Sequence, residues 1–170
     1  VGFLQSQKLV FSDNAGVSWK LVDENCDSYL RVAFHPFEPS TVYAGRRISR
    51  DGGKSYRLLD FPPELAGKNL QVMDYCRAQP DVVYAASGWP GTIVRSNDQG
   101  AHWEPYANVD WPFVVAHLAF AVDPVDCNVV YTLDQAGDVA RFDGKSWTAL
   151  SVLPQVKTPA GYRAGVHSLH

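Results

Sequence analysis

The sequence of 170 residues lacks the features that mark several common protein classes. Its longest apolar run, at 113–122, is far shorter than the roughly 20 residues of a membrane-spanning helix. Lysine and arginine form no cluster, and the formal net charge is −3. We therefore expect no membrane span and no nucleic-acid partner. Because the chain begins at Val1 rather than at Met, we expect a processed protein or a segment of a longer one.

Metal-ligand and cofactor patterns are also scarce. The three cysteines, Cys26, Cys76 and Cys127, are far apart in the chain, which is not the spacing of a zinc site. The histidines are scattered, and no glycine-rich loop follows a strand and opens a helix. We therefore predict no metal and no cofactor. Three buried or half-buried thiols are favoured over one disulfide and one thiol.

Residues that favour β-structure are abundant. Aromatic residues make up 12% of the chain, and short runs of Val, Ile, Tyr, Phe and Thr are broken by 13 glycines and 11 prolines. Apolar residues at the spacing of a helix are hard to find, whereas short strand-like runs recur along the whole chain. The composition therefore predicts an all-β fold.

An eight-residue motif that closes on an aromatic residue recurs four times. The copies are SDNAGVSW at 12–19, SRDGGKSY at 49–56, SNDQGAHW at 96–103 and ARFDGKSW at 140–147. The closing aromatic residues are 37, 47 and 44 residues apart, which is the period of propeller blades. The fourth octad has lost the serine and the register of the aspartate.

A second motif repeats in the same phase. Three segments contain a bend with a proline followed by Val-Tyr, and they end near Tyr43, Tyr84 and Tyr131. These tyrosines are 41 and 47 residues apart. Two independent motifs with one period indicate a true structural repeat.

The pattern S-x-D-x-G-x-x-W resembles the Asp-box, or bacterial neuraminidase repeat. This repeat occurs in sialidases, sortilin-type receptors, xyloglucanase-type glycoside hydrolases and photosystem assembly factors, and the segment with N-V-V-Y looks most like the last two groups. The resemblance implies a β-propeller of four-stranded antiparallel blades. It also implies a larger ring and an extracytoplasmic site, because Asp-box rings are usually larger than four blades and mostly exported.

The octad residues are expected to be structural rather than catalytic. An aspartate such as Asp98 can accept hydrogen bonds from turn N–H groups, and Gly100 permits a conformation that a Cβ would oppose. Trp103 is expected to pack between sheets. Burying its ring should stabilise the fold by more than the polar hydrogen bonds of the turn do. The structural set is Ser12, Asn14, Gly16, Trp19, Ser49, Asp51, Gly53, Tyr56, Ser96, Asp98, Gly100, Trp103, Gly144 and Trp147.

We predict a single propeller region over residues 1–170. Its blades are expected at 1–25, 26–64, 65–108 and 109–152, each with strands A to D, except that the first lacks strand A. Residues 153–170 would form a connecting loop and a strand at 162–169 that closes a small ring or begins a further blade. A segment of a larger ring is favoured, and a single-chain ring or a homo-oligomer stays open.

Candidate ligand-binding residues lie in the B–C and D–A loops, on the face opposite the octad turns. They are Arg46, Arg47, Trp89, Asp110, Trp111 and Asp134. The two tryptophans lie in loops rich in glycine and proline, where an exposed ring beside a carboxylate suits a sugar. A purely structural role for both tryptophans is the competing interpretation.

A glycoside hydrolase would need two carboxylates about 5 Å apart for retention, or about 6.5–9.5 Å apart for inversion. Asp23, Glu64, Asp110 and Asp134 lie on the expected face, but no Arg-Ile-Pro motif or sialidase-like arginine set is present. No residue is assigned as catalytic. We therefore predict a non-enzymatic recognition or scaffold propeller that binds a protein or a glycan. The alternative is part of a secreted glycoside hydrolase.

Overall fold

The computed structural model describes residues 2–5, 8–24, 32–65, 70–87, 91–109, 120–133 and 139–151. Within these residues, fifteen strands form four antiparallel sheets, and the one helical segment is a 3-10 turn at Pro63–Leu65. The predicted all-β fold of antiparallel propeller blades is confirmed. None of the described helical structure is long and apolar enough to cross a membrane.

Each blade is a meander in which strands that follow one another in the chain are paired. Blade 1 contains β1 (Gly2–Gln5), β2 (Lys8–Phe11) and β3 (Lys20–Asp23). Blade 2 contains β4 (Val32–Phe34), β5 (Val42–Ala44), β6 (Arg47–Ser49) and β7 (Arg57–Leu58). Blade 3 contains β8 (Gln71–Tyr75), β9 (Val83–Ala86), β10 (Gly91–Ser96) and β11 (Glu104–Val109). Blade 4 contains β12 (Phe120–Val122), β13 (Val130–Leu133), β14 (Val139–Phe142) and β15 (Trp147–Ser151).

Blade 1 has three described strands where the other blades have four. They correspond to the predicted strands B, C and D of a blade without strand A. The strand predicted at 162–169, which would close a ring, lies outside the described residues.

The blades stack face to face, and the second strands of blades 2 and 3, β5 and β9, are buried along their whole length. All four residues of β9, in blade 3, are buried. A strand covered on both faces has a continuous apolar sequence rather than an alternating one, and Val83–Ala86 fits this pattern. Stacking on both sides therefore explains why the burial pattern of β5 and β9, which carry the repeat tyrosines of blades 2 and 3, does not alternate.

Two apolar clusters lie at the junctions between blades 2 and 3 and between blades 3 and 4. The first contains Leu59 and Phe61 from blade 2 together with Trp103 from blade 3. The second contains Tyr84 from blade 3 and Phe120 from blade 4, whose ring centroids are 6.2 Å apart. Burial between blades therefore supplies the core, rather than burial within one sheet.

A polar contact also joins the inner strands of blades 3 and 4. The Asp74 side chain on β8 accepts a hydrogen bond from the backbone N–H of Val122 on β12, at 3.0 Å. The carboxylate thereby acts as a backbone acceptor for a neighbouring sheet. The contact sets the position of β12 beside β8.

The bends between strands A and B share one backbone hydrogen bond in three blades. The residue eight positions before each repeat tyrosine donates its backbone N–H to the carbonyl of the residue six positions further on. The distances are 3.1 Å for His35, 2.8 Å for Cys76 and 2.9 Å for Asp123. Equivalent positions thus carry three chemically different side chains. Two of these side chains, those of His35 and Asp123, also accept hydrogen bonds from backbone N–H groups of their own bends.

The His35 side chain caps its own bend and is buried. Its Nδ1 accepts hydrogen bonds from the backbone N–H groups of Phe37, at 3.3 Å, and Glu38, at 3.0 Å. In blade 4, Asp123 Oδ1 accepts from Val125 at 2.9 Å and Asp126 at 3.0 Å. A histidine and an aspartate therefore make the same cap at equivalent positions.

Replacing His35 by alanine is expected to destabilise the protein by about 1–3 kcal/mol, because two bend N–H groups lose their acceptor. His35→Asn should recover most of that loss, since the asparagine oxygen can accept from the same groups. Urea unfolding curves of the wild type and both variants measure the difference. Equal losses in the two variants would show that ring packing, rather than the cap, is the important contribution.

Cys76 and Cys127 form a disulfide between blades 3 and 4, with their Cα atoms 5.3 Å apart. The prediction of three thiols is therefore wrong for these two residues, whereas Cys26 lies outside the described residues. The cysteines are 51 residues apart in the chain. They meet because Cys76 directly follows strand A of blade 3 and Cys127 lies in the adjacent A–B bend of blade 4.

Candidate binding face

The octad turns lie between strands C and D, and serine and aspartate side chains form them. In blade 3, Ser96 Oγ accepts hydrogen bonds from the backbone N–H groups of Gly100, at 2.8 Å, and Asp98, at 3.2 Å. Asp98 Oδ1 accepts from the N–H of His102 at 2.8 Å. Both side chains therefore replace backbone acceptors that the tight turn cannot supply.

Blades 1 and 2 repeat this arrangement. Ser49 Oγ accepts from the N–H of Gly53 at 2.8 Å, and Asp51 Oδ1 accepts from that of Ser55 at 2.9 Å. In blade 1, Asn14 Oδ1 takes the aspartate's place and accepts from the N–H of Ser18 at 2.9 Å. An amide oxygen therefore forms the same turn bond without a charge.

The fourth octad reaches a similar turn by another route. Asp143, one position later than the other acidic residues, accepts from the N–H groups of Lys145 and Ser146, each at 3.0 Å. Gly144 keeps the positive φ, at 89°, of the glycines in the other octads. The carboxylate that accepts the turn hydrogen bonds can therefore move by one position in the octad, whereas the glycine with positive φ stays in place.

The electrostatics of the octads suit a structural role. Hydrogen bonds from the hydroxyl and N–H of Ser55 hold the pKa of Asp51 well below its usual range. Partial burial raises the pKa of Asp98, but hydrogen bonds from His102 and Ser96 outweigh it and lower the value to about 2. Both carboxylates are therefore ionised near neutral pH and act as acceptors in the turns.

The octad aromatics differ in burial from blade to blade. Trp103 is only 7% exposed and packs on Phe61 of blade 2, with ring centroids 4.9 Å apart. Trp147 packs on Phe142 at 5.1 Å, and its Nε1 donates to the carbonyl of Asn108 in blade 3 at 3.1 Å. By contrast, Trp19 in blade 1 is 44% exposed. Burial thus depends on the blade that precedes the octad.

The B–C turn of blade 2 places two of the predicted ligand residues. β5 ends at Ala44 and β6 begins at Arg47, so Arg46 lies in the turn itself, beside Gly45 with a φ of 57°. The Arg46 carbonyl accepts from the N–H of Leu59 at 2.8 Å, and that of Gly45 accepts from Val72 at 2.9 Å. Strand D of its own blade and strand A of blade 3 therefore hold this turn in place.

An ion pair connects this turn to blade 1. The Arg47 Nε donates to Asp23 Oδ2 at 2.6 Å, and both side chains are largely buried. Asp23 ends β3, so the pair joins a B–C turn to the start of a D–A loop, as the strand order predicts. Arg46 is partly exposed beside it.

The other four predicted ligand residues, Trp89, Asp110, Trp111 and Asp134, lie outside the described residues. Their positions relative to Arg46 and Arg47 therefore stay predictions. No group of three or more His, Cys, Asp or Glu side chains within the described ranges could hold a metal ion.

Some interactions between blades were not found from the sequence. Arg95 lies over the rings of Tyr84 and Tyr106, 5.9 and 5.8 Å from their centroids, and donates to Asn128 Oδ1 at 2.7 Å. The Tyr106 hydroxyl donates to the carbonyl of Asn128 at 2.5 Å. The Val-Tyr motif marks Tyr84 in the sequence, but nothing in the motif indicates that Arg95 packs on its ring.

Gln99 is another such residue. It has a φ of 57°, which is uncommon for a residue other than glycine. Its side chain donates to Asp81 at 2.7 Å and to Glu38 at 3.2 Å, and its carbonyl accepts from the Tyr43 hydroxyl at 3.1 Å. Gln99 therefore combines an uncommon backbone conformation with hydrogen bonds to blade 2 and to its own blade.

A surface cavity of about 190 Å³ lies beside the octad of blade 3, away from the B–C turns. It is lined by Arg95, Asn97, Asp98, His102, Trp103 and Glu104. Asp98 Oδ2 and His102 Nδ1 lie 2.6 Å apart there, but these groups already belong to the turn. The buried Nε1 of Trp103 is not accessible from the cavity.

No protein-family model and no curated protein matches the chain. Among solved structures, the chain is similar to an ancestral GH74 enzyme, with 20% identity and a TM-score of 0.62 over 86% of this chain and 21% of that one. It is also similar to the GH74 enzyme of Niastella koreensis, with 20% identity and a TM-score of 0.54 over 83% of this chain and 26% of that one.

A third similar structure is YCF48 bound to D1 peptide, with 15% identity and a TM-score of 0.49 over 73% of this chain and 43% of that one. The likeness to the GH74 enzymes shows the propeller fold. This chain spans only 21% and 26% of the lengths of those two enzymes.

Proposed function

We propose that this chain is an Asp-box propeller region that recognises a protein or a glycan without catalysing a reaction. The binding surface is the face formed by the B–C and D–A loops. The observation that carries the proposal is the pair of adjacent arginines at the B–C turn of blade 2, with Arg47 held by Asp23 at 2.6 Å. Arg46 lies beside it in a turn that backbone hydrogen bonds hold in place.

The chemistry of this turn favours a ligand rich in oxygen acceptors. A guanidinium group presents several N–H donors in one plane, which suits a carboxylate or the hydroxyl groups of a sugar. The Arg47–Asp23 pair orients one guanidinium and neutralises much of its charge. Arg46 is then the group that offers donors to a partner.

Three of the described carboxylates have roles in holding the fold. Asp51 and Asp98 accept hydrogen bonds within the octad turns, and Asp23 is paired with Arg47. A glycosidase needs one carboxyl group that donates a proton and a second that acts as nucleophile or base. These three carboxylates already have structural partners.

A direct binding experiment tests the proposal. The probes are a xyloglucan heptasaccharide and a peptide of alternating glutamate and glycine, titrated by isothermal calorimetry. We expect one probe to bind, and Arg46→Ala to weaken its binding by about tenfold or more, equivalent to ~1.4 kcal/mol. Arg57→Ala, on the exposed outer strand β7, is the matched control and should leave affinity unchanged.

Two results would contradict the proposal. One is equal weakening by Arg46→Ala and Arg57→Ala, which would indicate a non-specific charge effect. The other is the release of reducing ends from the heptasaccharide. That release would establish the alternative function, part of a secreted glycoside hydrolase, for which the propeller fold is equally suitable.

We also propose an extracytoplasmic location. The Cys76–Cys127 disulfide supports it, because disulfides persist in oxidising compartments and are rare in the cytosol of mesophiles. Alkylation of free thiols in intact cells before lysis measures the redox state directly. Modification of both cysteines in protein from native cells would contradict this location.

A further inference from the structure

The A–B bend of blade 2 depends on the protonation state of a buried imidazole. The His35 side chain is only 5% exposed. Its Nδ1 accepts hydrogen bonds from the backbone N–H groups of Phe37 and Glu38, so the proton of the neutral ring lies on Nε2. Nε2 is buried as well, and no residue that the structure describes offers it a hydrogen-bond partner. The closed bend therefore fits the neutral ring protonated at Nε2.

A proton added to Nδ1 would remove this cap. The new N–H group would face the two backbone N–H groups that now donate to Nδ1, so both hydrogen bonds would be lost. The positive charge would also lie away from water, which costs free energy unless a counter-charge is close. Histidine is the side chain whose charge changes in mild acid, around pH ~6.5 when it is exposed to water. The cap is therefore chemically suited to respond to mild acid.

Two titratable residues of β8 lie on the side of blade 3. The ring of Tyr75 stacks on that of His35, with centroids 6.5 Å apart. The neighbouring Asp74 carboxylate accepts from the backbone N–H groups of Tyr75, at 2.9 Å, and Val122, at 3.0 Å. Blade 3 therefore covers the imidazole with an aromatic ring, while its carboxylate is engaged with blade 4.

Glu38 is the acidic residue of the same bend, and its charge would favour a protonated ring. Its carboxylate, however, accepts from Thr41 Oγ1 at 3.1 Å and from Gln99 Nε2 at 3.2 Å. It also lies 3.7 Å from the guanidinium of Arg50, which offsets its charge. Glu38 therefore already has partners other than the imidazole.

The equivalent residue of blade 4 makes the same cap with a carboxylate. Asp123 Oδ1 accepts from the backbone N–H groups of Val125 and Asp126. Hydrogen bonds from Asp126 and Val125 lower the pKa of Asp123 from its usual value, so this acceptor stays ionised through mild acid. The two bends thus share one cap but differ in the pH range over which the acceptor is available.

The bend at His35 also contributes to the junction between blades 2 and 3. The Ser40 carbonyl accepts from the N–H of Gly52, in the octad of blade 2, at 2.8 Å. Glu38 accepts from the side chain of Gln99, in the octad of blade 3. Opening of the bend would therefore weaken contacts within blade 2 and between the two blades.

We propose that His35 is a pH-sensitive switch, and that its protonation in mild acid opens the bend at 35–41 and loosens blade 2 from blade 3 on the octad face. Deprotonation restores the cap, so the change is reversible. The bend of blade 4, capped by Asp123, stays closed over the same range. The switch lies on the face opposite the B–C turns and does not depend on a ligand there.

The first test compares the pH dependence of stability, measured by urea unfolding at about pH 7 and about pH 5. The unfolded chain binds a proton at His35 that the closed bend excludes, so stability falls with pH. Over this interval, the unfolding equilibrium constant of the wild type should rise about tenfold more than that of His35→Asn. The asparagine oxygen keeps an acceptor in the bend but does not titrate. Equal pH dependence in the two proteins would overturn the proposal.

The reciprocal variant Asp123→His transfers the histidine to the equivalent bend. Its unfolding equilibrium constant should rise about tenfold more than that of the wild type over the same interval, because the cap of blade 4 then becomes sensitive to acid. This variant also keeps the test decisive if His35→Asn does not fold. An unchanged pH dependence in Asp123→His would count against the switch.

The last test measures opening of the bend itself by hydrogen exchange and mass spectrometry, with rates corrected for the intrinsic effect of pH. In the wild type, protection of the peptide at 36–41 should fall about tenfold between about pH 7 and about pH 5. The peptide at 124–129 is the internal control and should keep its protection, as should both peptides in His35→Asn. Unchanged protection at 36–41, or an equal loss in both peptides, would overturn the proposal.

Discussion

Replacing Trp103 by alanine is expected to lower the free energy of unfolding by about 3–5 kcal/mol. The indole fills the junction between blades 2 and 3, where it contacts Phe61 and lies close to Leu59. Removing it leaves a cavity that two rigid sheets cannot readily close. Chemical denaturation followed by circular dichroism measures the loss.

Trp19→Ala is the matched control, because it removes the same side chain from an equivalent octad. Trp19 is 44% exposed and therefore buries less apolar area than Trp103 does. Trp19→Ala should lower the free energy of unfolding by only about half as much as Trp103→Ala. Equal losses at the two positions would show that the octad aromatic acts within its own turn rather than at a blade junction.

Reducing the Cys76–Cys127 disulfide is expected to destabilise the protein by about 4 kcal/mol. The bond closes a loop with a sequence separation of 51 residues, and this closure restricts the unfolded chain. It also fixes the bend of blade 4 against blade 3, where the Tyr84 hydroxyl donates to the Cys127 carbonyl at 2.5 Å. Urea unfolding with and without a dithiol reductant measures the effect.

The double variant Cys76→Ala, Cys127→Ala provides the control for this experiment. It should be less stable than the oxidised wild type by a similar amount, and the reductant should not change it further. Tyr84→Phe in the oxidised protein separates the nearby hydrogen bond from the covalent link. A double variant as stable as the oxidised wild type would contradict a stabilising role for the disulfide.

The repeat could be predicted from the sequence because each octad folds locally. In blade 2, the turn is held by hydrogen bonds between residues only four positions apart, from Gly53 to Ser49 and from Ser55 to Asp51. The residues that form it therefore have a fixed spacing that can be recognised in the sequence. The Arg47–Asp23 pair could not be predicted in the same way. Its two residues belong to different blades, and only their shared face could be inferred from strand order.

The cysteines illustrate the same limit. Cys76 and Cys127 occupy different positions of the repeat: Cys76 is the first residue after strand A of blade 3, whereas Cys127 lies further along the A–B bend of blade 4. Their spacing in the sequence suggests no pairing, so three thiols were the simpler expectation. Stacking one blade on the next places the two side chains within bonding distance.

The amino-acid sequence by itself determined the all-β class, the number of octads and the turn that each octad forms. These properties depend on residues close together in the chain, whose conformations and hydrogen bonds are local. Only the tertiary structure decided that Trp103 is buried while Trp19 is partly exposed, and that two cysteines pair. These outcomes depend on which blade lies against which, and that contact joins residues about one repeat apart.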